Sequence, residues 1–164
     1  MKILGVYVGK TLSFSYHVTT LIEKVSRSFY ALKTLRAHGL VEQNLWDVTR
    51  ATVVAQLLYA SPAWWGFLNS EDKTRLESVL TKAQRYGYLP TGFSTLDELR
   101  EKLDDPLFHS SRYNPYHVLH QLLPPPKDTG HDLRKRSHNL TLPTGLSYVC
   151  KQNFVNRMLF TDIY

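Results

Sequence analysis

The spacing of apolar residues changes near Ser15 from a strand-like pattern to a helical one. Residues 3–8 are mainly apolar and β-branched, and Gly9-Lys10 is suited to a turn into residues 11–14, which predicts a hairpin over residues 1–14. From Ser15 the apolar positions recur every three or four residues until Gly39, which is a typical helix stop. The first helix is therefore expected to bury Val18, Leu21, Ile22, Val25, Phe29 and Leu32.

Two further helical patterns follow. Residues 43–59 carry an apolar face wide enough to require burial on more than one side, and this helix must end before Pro62. Its predicted stripe is Leu45, Val48, Thr52, Ala55 and Tyr59, with Trp46, Val53 and Leu57 beside it. The third helix has Asn69 or Ser70 as its N-cap and Glu71 and Asp72 near the positive end of its dipole. Its expected buried positions are Leu76, Val79, Leu80 and Ala83.

The rest of the chain is less periodic. Thr95 and Glu98 form a capping box for a short helix that should stop at Pro106, and Asn114 with Pro115 predicts a second short helix. Residues 125–164 should form an extended basic tail, with a possible terminal helix over 151–164. We therefore expect a mainly α fold: a hairpin (1–14), a three-helix bundle (15–90), two short helices (91–124) and an irregular tail.

Composition narrows the class of protein. A single cysteine excludes a disulfide framework, and no apolar run approaches the length of a membrane helix. These features predict a soluble intracellular protein of the cytoplasm or nucleus. The formal charge of +6 is concentrated in the two ends of the chain, while residues 91–112 are acidic. A basic surface favours polyanions, although an excess of this size is also common in proteins without such partners.

No motif predicts a cofactor, a metal or a small-molecule substrate. His117 and His120 would share a helix face, but such a pair is usually a polar flank. The chain has no phosphate-binding glycine loop and no nucleophile elbow. The acidic pairs are explained by their places at helix termini: Glu71-Asp72 and Asp97-Glu98 in first turns, and Asp104-Asp105 as a solvated helix end.

Four strings in order resemble part of a known polymerase. They are "KILGVYVGKTLSFSYHV", "LLYASPAWWGFLNSEDKTRLESVLTKAQR", "NPYHVLHQLLPPPKDTGHDLRKRSHNLTLPTG" and "KQNFVNRMLFTDIY". Together they resemble the region downstream of the catalytic palm in reverse transcriptases of non-LTR (LINE-type, jockey-like) retrotransposons. In that family an "LGV" hairpin, the primer grip, leads into a helical thumb. The family's Tyr-Ala-Asp-Asp-type motif lies upstream of this hairpin, so Asp104-Asp105 cannot replace it. The resemblance thus implies a fragment that is not an enzyme by itself.

The resemblance implies contacts to the backbone of an RNA–DNA duplex without sequence preference. Leu4 and Gly5 match the primer-grip string, and the helical cations would contact phosphates, with four of them (Lys24, Arg27, Lys82 and Arg85) on one continuous surface. The full set of implied contact residues is Leu4, Gly5, Lys24, Arg27, Arg75, Lys82, Arg85 and, in the tail, Arg134, Lys135 and Arg136. The tail cations could instead form a nuclear-import signal or a solubilising segment.

Simpler interpretations remain open for each feature. The helical cations could form an ordinary solvated face, and Gly5 could be an ordinary hairpin glycine. Tyr59, Trp64 and Trp65 could stack on bases, but packing between the second and third helices is the expected role. The chain could also be a small helical protein-interaction module, or a nonfunctional product of a degenerate element.

Overall fold

The structure is a computed structural model that describes residues 1–127 and 138–161. It is mainly helical, with a two-stranded antiparallel hairpin at the N-terminus, which confirms the expected fold class. The chain forms two compact units, Met1–Arg100 and a second that begins at Glu101. This division differs from the four segments expected from the sequence. Within the described ranges, no helix combines the length and the apolar character that a bilayer crossing requires.

The elements of the first unit follow the predicted order. They are β1 (Lys2–Ile3), β2 (Val6–Tyr7), α1 (Ser15–Ala37), α2 (Glu42–Thr49), a π-helical segment (Arg50–Val54), α3 (Ala55–Leu58), α4 (Ser61–Trp64), a 3₁₀ turn (Trp65–Phe67) and α5 (Ser70–Arg85). The helix α6 (Leu96–Tyr113) begins in the first unit and ends in the second. A 3₁₀ turn (His120–Leu122), α7 (Tyr148–Gln152) and α8 (Phe154–Leu159) follow.

The hairpin turns earlier than predicted. Ile3 pairs with Val6, so the turn is Leu4-Gly5, and the φ angles of these two residues are 45° and 91°. Positive φ at both central residues is the type I′ arrangement, whose twist matches that of the strands, and a glycine at the second position favours it. The predicted turn at Gly9-Lys10 is present, since the Leu12 amide donates a 3.2 Å hydrogen bond to the Gly9 carbonyl. The strand predicted after it was wrong, because residues 11–14 form a loop and the hairpin closes earlier.

The first and third predicted helices are confirmed as α1 and α5. The predicted stripe positions are buried, except that Ile22 is half-buried. Asn69 caps α5, because its Oδ1 accepts a hydrogen bond from the Asp72 amide at 2.7 Å. Asp72 does more than offset the dipole: it is buried and accepts a 2.6 Å hydrogen bond from the Ser15 hydroxyl. This contact joins the starts of α1 and α5.

The second predicted helix is continuous and buries part of the predicted surface: Leu45, Val53 and Leu57 are buried, and Trp46, Val48 and Thr52 are half-buried. Its middle turn is π-helical, which inserts an extra residue and rotates the face presented downstream. The buried residues are Leu45, Thr49, Val53, Val54 and Leu57. The burial predicted for Ala55 and Tyr59 was therefore wrong, since both are exposed. Trp64 and Trp65 are buried as expected, but the Tyr59 side chain is exposed. Only the backbone oxygen of Tyr59 contacts them, because it accepts a 3.0 Å hydrogen bond from Trp64 Nε1.

Helix α6 begins as predicted and ends later. The capping box is present, with Thr95 and Glu98 exchanging two 3.3 Å hydrogen bonds. The predicted stop at Pro106 was wrong, because the helix continues through it to Tyr113. Leu96 packs into the first core and Phe108 into the second, so burial on both sides of the proline holds the helical conformation.

The helix predicted after Asn114 was also wrong. The side-chain oxygen of Asn114 accepts from the Tyr116 amide at 3.0 Å, which forms a local turn, and only His120–Leu122 is helical, as 3₁₀. The terminal helical region forms as α7 and α8. Asn153 separates the two helices and caps α8 through a 2.8 Å hydrogen bond from the Asn156 amide.

The second unit surrounds a small core that includes a buried ion pair. Asp104 is fully buried and lies 3.0 Å from Arg157, so its prediction as a solvated helix end was wrong. Its position on α6, four residues before Phe108, places it on the face that packs inward. His138 is buried as well, with Nε2 2.8 Å from the backbone oxygen of Leu159. Of the predicted extended tail, Pro126 and Leu140 form an isolated antiparallel bridge.

Candidate nucleic-acid interface

The tip of the hairpin projects two of the predicted contact residues. Leu4 is 87% exposed, although its positive φ is costly for a residue with a side chain. Gly5 has a φ of 91°, which glycine adopts at less cost than any residue with a side chain. The Tyr59 hydroxyl donates a 3.0 Å hydrogen bond to the Leu4 carbonyl and so fixes the tip against the end of α3. Tyr59 therefore positions the hairpin.

A cavity of about 370 Å³ opens beneath this tip, and it brings Leu4 and Gly5 together with Lys24 of α1. Three elements form its walls: the hairpin, the N-terminal half of α1, and α3. The lining residues are Leu4, Gly5, Tyr7, His17, Thr20, Leu21, Lys24, Ala55, Gln56 and Tyr59. Three residues that the family resemblance implied to be contacts thus share one site, although Lys24 is nineteen residues from the Leu4-Gly5 pair in sequence.

His17 forms part of the floor of this cavity. It is 6% exposed and lies edge-on to Trp64, with ring centroids 5.1 Å apart. Burial lowers the pKa of His17 below its ordinary value, because desolvation disfavours the charged imidazolium. The Nε2 atom of His17 and the Oε1 atom of Gln56 are both buried without a hydrogen-bond partner among the described residues. The sequence pattern gave no reason to select these two residues.

A second group of cations surrounds three aromatic rings where α1 and α5 end, and we call it the cation–aromatic cluster. Lys82 lies 5.6 Å from the ring centre of Phe29, and Arg85 lies 5.4 Å from that of Tyr86. Arg36 lies over Tyr88 at 4.9 Å and donates a 2.6 Å hydrogen bond to the backbone oxygen of Tyr86. The cluster thus consists of Arg36, Lys82, Arg85, Phe29, Tyr86 and Tyr88.

Sequence reasoning selected Lys82 and Arg85 but missed Arg36. The sequence does contain a signal for Arg36: it follows Phe29 by seven residues, a spacing that places both on the same face of α1. Lys24 precedes Phe29 by five residues, about 140° around the helix, and lines the hairpin cavity instead. The structure thus places Lys24 and the Lys82–Arg85 pair on different sides of α1, in place of the single surface that was expected.

The remaining predicted cations have different environments. Arg75 joins helices: its Nη1 donates to Asp72 and its Nη2 to the Thr19 hydroxyl, each at 3.0 Å. Arg27 is exposed on α1. The predicted tail contacts Arg134, Lys135 and Arg136 lie outside the described residues.

His117 and His120, the histidine pair of the second unit, each form a separate hydrogen bond with a nearby backbone group. His117 Nδ1 accepts a 3.2 Å hydrogen bond from the Leu119 amide, and His120 Nδ1 lies 2.9 Å from the backbone oxygen of Ser111. Among residues 1–127 and 138–161, no three histidine, cysteine or acidic side chains are grouped so that they could hold a metal ion.

Comparison with protein families, with curated proteins and with solved structures finds no match to this chain.

Proposed function

We propose that this chain binds the backbone of an RNA–DNA duplex without sequence preference, in the manner of the primer grip and thumb of a non-LTR retrotransposon reverse transcriptase. The observation that carries the proposal is the cation–aromatic cluster. In the described part of the chain, neither Arg36 nor Lys82 nor Arg85 forms an ion pair with a carboxylate, so their charge is available to phosphates. The rings beneath them hold the cations at the surface.

The hairpin tip supports the same proposal. The exposed turn contains Gly5, which has no side chain to cover its backbone, and Lys24 supplies a positive charge in the cavity beside it. A duplex that contacts the tip would be held by its backbone, since such contacts position a nucleic acid without reading its sequence.

The proposal assigns no chemical step to this chain and needs no cofactor. The purified protein should not extend a primer on an RNA template with deoxynucleotides and a divalent metal. We propose the cytoplasm or nucleus as its place of action, since template and primer would be met there. Template-dependent extension by the pure protein would contradict this part of the proposal.

A salt titration of duplex affinity tests the binding. Non-specific affinity is typically about 10⁻⁴ to 10⁻⁶ M at physiological salt, so the measurement starts at low salt. The double variant Lys82→Gln with Arg85→Gln should reduce the slope of log affinity against log salt by about two, equally for different duplex sequences.

The matched control is Arg50→Gln with Lys73→Gln, which removes the same charge. These two cations also lie over aromatic rings, at 5.8 Å and 5.9 Å, but outside the cluster, and Arg50 pairs with Asp47 at 3.2 Å. Equal losses in the two double variants would reduce the effect to net charge and contradict the proposed site.

A protein-interaction module is the second candidate. Four large apolar or aromatic side chains are exposed between the last residue of α6 and the end of the 3₁₀ turn that follows. They are Tyr113, Tyr116, Val118 and Leu122, with exposures of 64%, 95%, 74% and 63%. Exposed apolar groups of this kind are typical of protein contacts. A folded chain that shows no duplex affinity even at low salt would favour this candidate over the first.

A further inference from the structure

Three consecutive prolines follow the 3₁₀ turn of the second unit and restrict the backbone there. Leu123, Pro124 and Pro125 each precede a proline, which disfavours the α region for all three residues. The proline rings also hold φ at about −65°. Leu123 has a φ of −76° and a ψ of 141°, which are the angles of a polyproline II helix. Local sterics therefore place residues 123–125 in about one turn of that helix.

The chain itself holds this segment in place on one side. The Thr141 amide donates a 2.9 Å hydrogen bond to the Pro125 carbonyl, and the Lys127 amide donates a 2.7 Å hydrogen bond to the Asn139 carbonyl. At the start of the segment, Leu123 packs against the small apolar core of the second unit. Because the segment is already ordered, a partner would not have to order it on binding, which lowers the entropic cost of association.

The other side of the segment is open to a partner. Pro125 and Pro126 are exposed, and the carbonyl oxygens of Pro124 and Pro126 accept no hydrogen bond from the backbone of residues 1–127 or 138–161. Since proline has no N–H, the triplet presents apolar rings and acceptor oxygens without a backbone donor. Lys127 follows the triplet, is exposed, and adds one positive charge.

A cavity beside the triplet provides room for an aromatic ring. Its volume is about 370 Å³, the three prolines line it, and Tyr113 and Leu140 line it as well. All of these residues belong to the second unit. A partner's aromatic side chain that enters this cavity would contact the proline rings and the ring of Tyr113 together.

Polyproline II recognition requires these features. In that mode, aromatic side chains of the partner form a groove for the proline rings, and a tyrosine hydroxyl or an indole N–H donates to the carbonyls. We propose that residues 123–127 dock in the aromatic-lined groove of a protein domain that recognises polyproline II, with an acidic side chain of that domain beside Lys127. This partner goes beyond the duplex function and uses none of the residues assigned to it, so each proposal can fail without the other.

Calorimetric titration of the full chain with purified domains of the SH3, WW and EVH1 types tests the proposal, because all three types bind proline-rich segments in aromatic grooves. At least one domain should bind with a dissociation constant of about 1 mM or tighter. Pro125→Ala with Pro126→Ala removes both exposed rings and should weaken that domain by at least about fivefold. A free peptide of consecutive prolines should compete with the parent chain, because it presents the same helix.

Matched substitutions separate the proposed contacts from general effects. Pro106→Ala with Pro115→Ala removes two exposed prolines of the same unit that do not line the cavity, and this variant should bind like the parent chain. Lys127→Gln should weaken binding by up to about fivefold at low salt, whereas Lys151→Gln, at an exposed lysine of α7, should not. Circular dichroism establishes that the variants fold, and the competing peptide tests the parent chain without any substitution.

Three outcomes would overturn the proposal. The first is that none of the three domains binds at about 1 mM. The second is that both proline double variants bind like the parent chain. The third is self-association of the chain, measured by sedimentation equilibrium, that Pro125→Ala with Pro126→Ala abolishes, since a second copy would then occupy the surface. The duplex function fails separately, if the Lys82→Gln, Arg85→Gln variant retains the full salt slope.

Discussion

The two units of this chain are stabilised in different ways. In Met1–Arg100 one continuous core takes buried apolar side chains from β2 and from every helix. In the described part of the second unit, the core has four buried apolar side chains, namely Phe108, Phe154, Met158 and Leu159, together with the buried Asp104–Arg157 pair. A large apolar core loses stability in proportion to the apolar volume that a substitution removes. Removing one partner of a buried ion pair is destabilising because it leaves the other charge buried without compensation.

The tryptophans allow the two units to be followed separately. All three, Trp46, Trp64 and Trp65, lie in the first unit. Their fluorescence therefore reports on that unit, while hydrogen exchange reports on both.

The largest effect is expected in the smaller core. Asp104→Asn removes a fully buried carboxylate that lies 3.0 Å from Arg157, which should cost the second unit roughly 3–5 kcal/mol. Hydrogen exchange should then accelerate in α7 and α8 while tryptophan fluorescence still shows a folded first unit. Asp105→Asn, at an exposed position, is the control and should have little effect. Unchanged protection in α8 would show that the pair does not hold this unit.

A similar or smaller loss is expected from the larger core. Leu76→Ala and Phe29→Ala should each cost roughly 2–5 kcal/mol in urea unfolding followed by tryptophan fluorescence, because both side chains are buried. Leu35→Ala, at a residue that is 39% exposed, should cost much less. Losses below about half a kcal/mol at both core positions would be incompatible with the packing described here.

A smaller, pH-dependent effect is expected at His17. Its folded-state pKa lies below the unfolded value of 6.5, so its neutral form stabilises the fold fully above that pH. This contribution is lost as the pH falls from 6.5 toward the folded-state pKa, because the unfolded chain binds a proton first. The loss is at most about 1.4 kcal/mol per pH unit.

Urea unfolding between about pH 7.5 and pH 5.5 measures this loss. The parent chain should lose more stability than His17→Phe, which has no imidazole to protonate. His38→Phe, at an exposed residue after α1, should retain the parent's pH dependence. Equal slopes for all three chains would remove His17 as the source.

The smallest effect concerns the hairpin turn. Asparagine tolerates positive φ better than leucine does, and Asn-Gly is the preferred type I′ pair, so Leu4→Asn should stabilise the first unit by under about 1 kcal/mol. Thermal unfolding followed by tryptophan fluorescence measures the gain. Leu12→Asn, at another residue with positive φ but outside the hairpin, provides the comparison. Destabilisation by Leu4→Asn would indicate that the leucine side chain itself supports the tip.

The sequence by itself determined the helices whose apolar spacing is regular and whose ends carry caps. The stripes of α1 and α5, the Asn69 cap and the Thr95–Glu98 box were predictable, because each depends on residues within one or two turns of one another. The same local rules misplaced the hairpin turn, since both Gly5 and Gly9 could provide one and the pairing of Ile3 with Val6 decides between them.

Where local and distant preferences conflict, only the tertiary structure decided which conformation forms and which residues are buried. Pro106 remains within α6 because Leu96 and Phe108 are each held in a core, and the π-helical turn changes which residues of the second helical region are buried. The candidate site has the same origin: Lys24, Gln56 and the Leu4-Gly5 turn meet only because α1, α3 and the hairpin pack together. Contacts between residues so far apart in sequence follow from packing, which periodicity within one element does not encode.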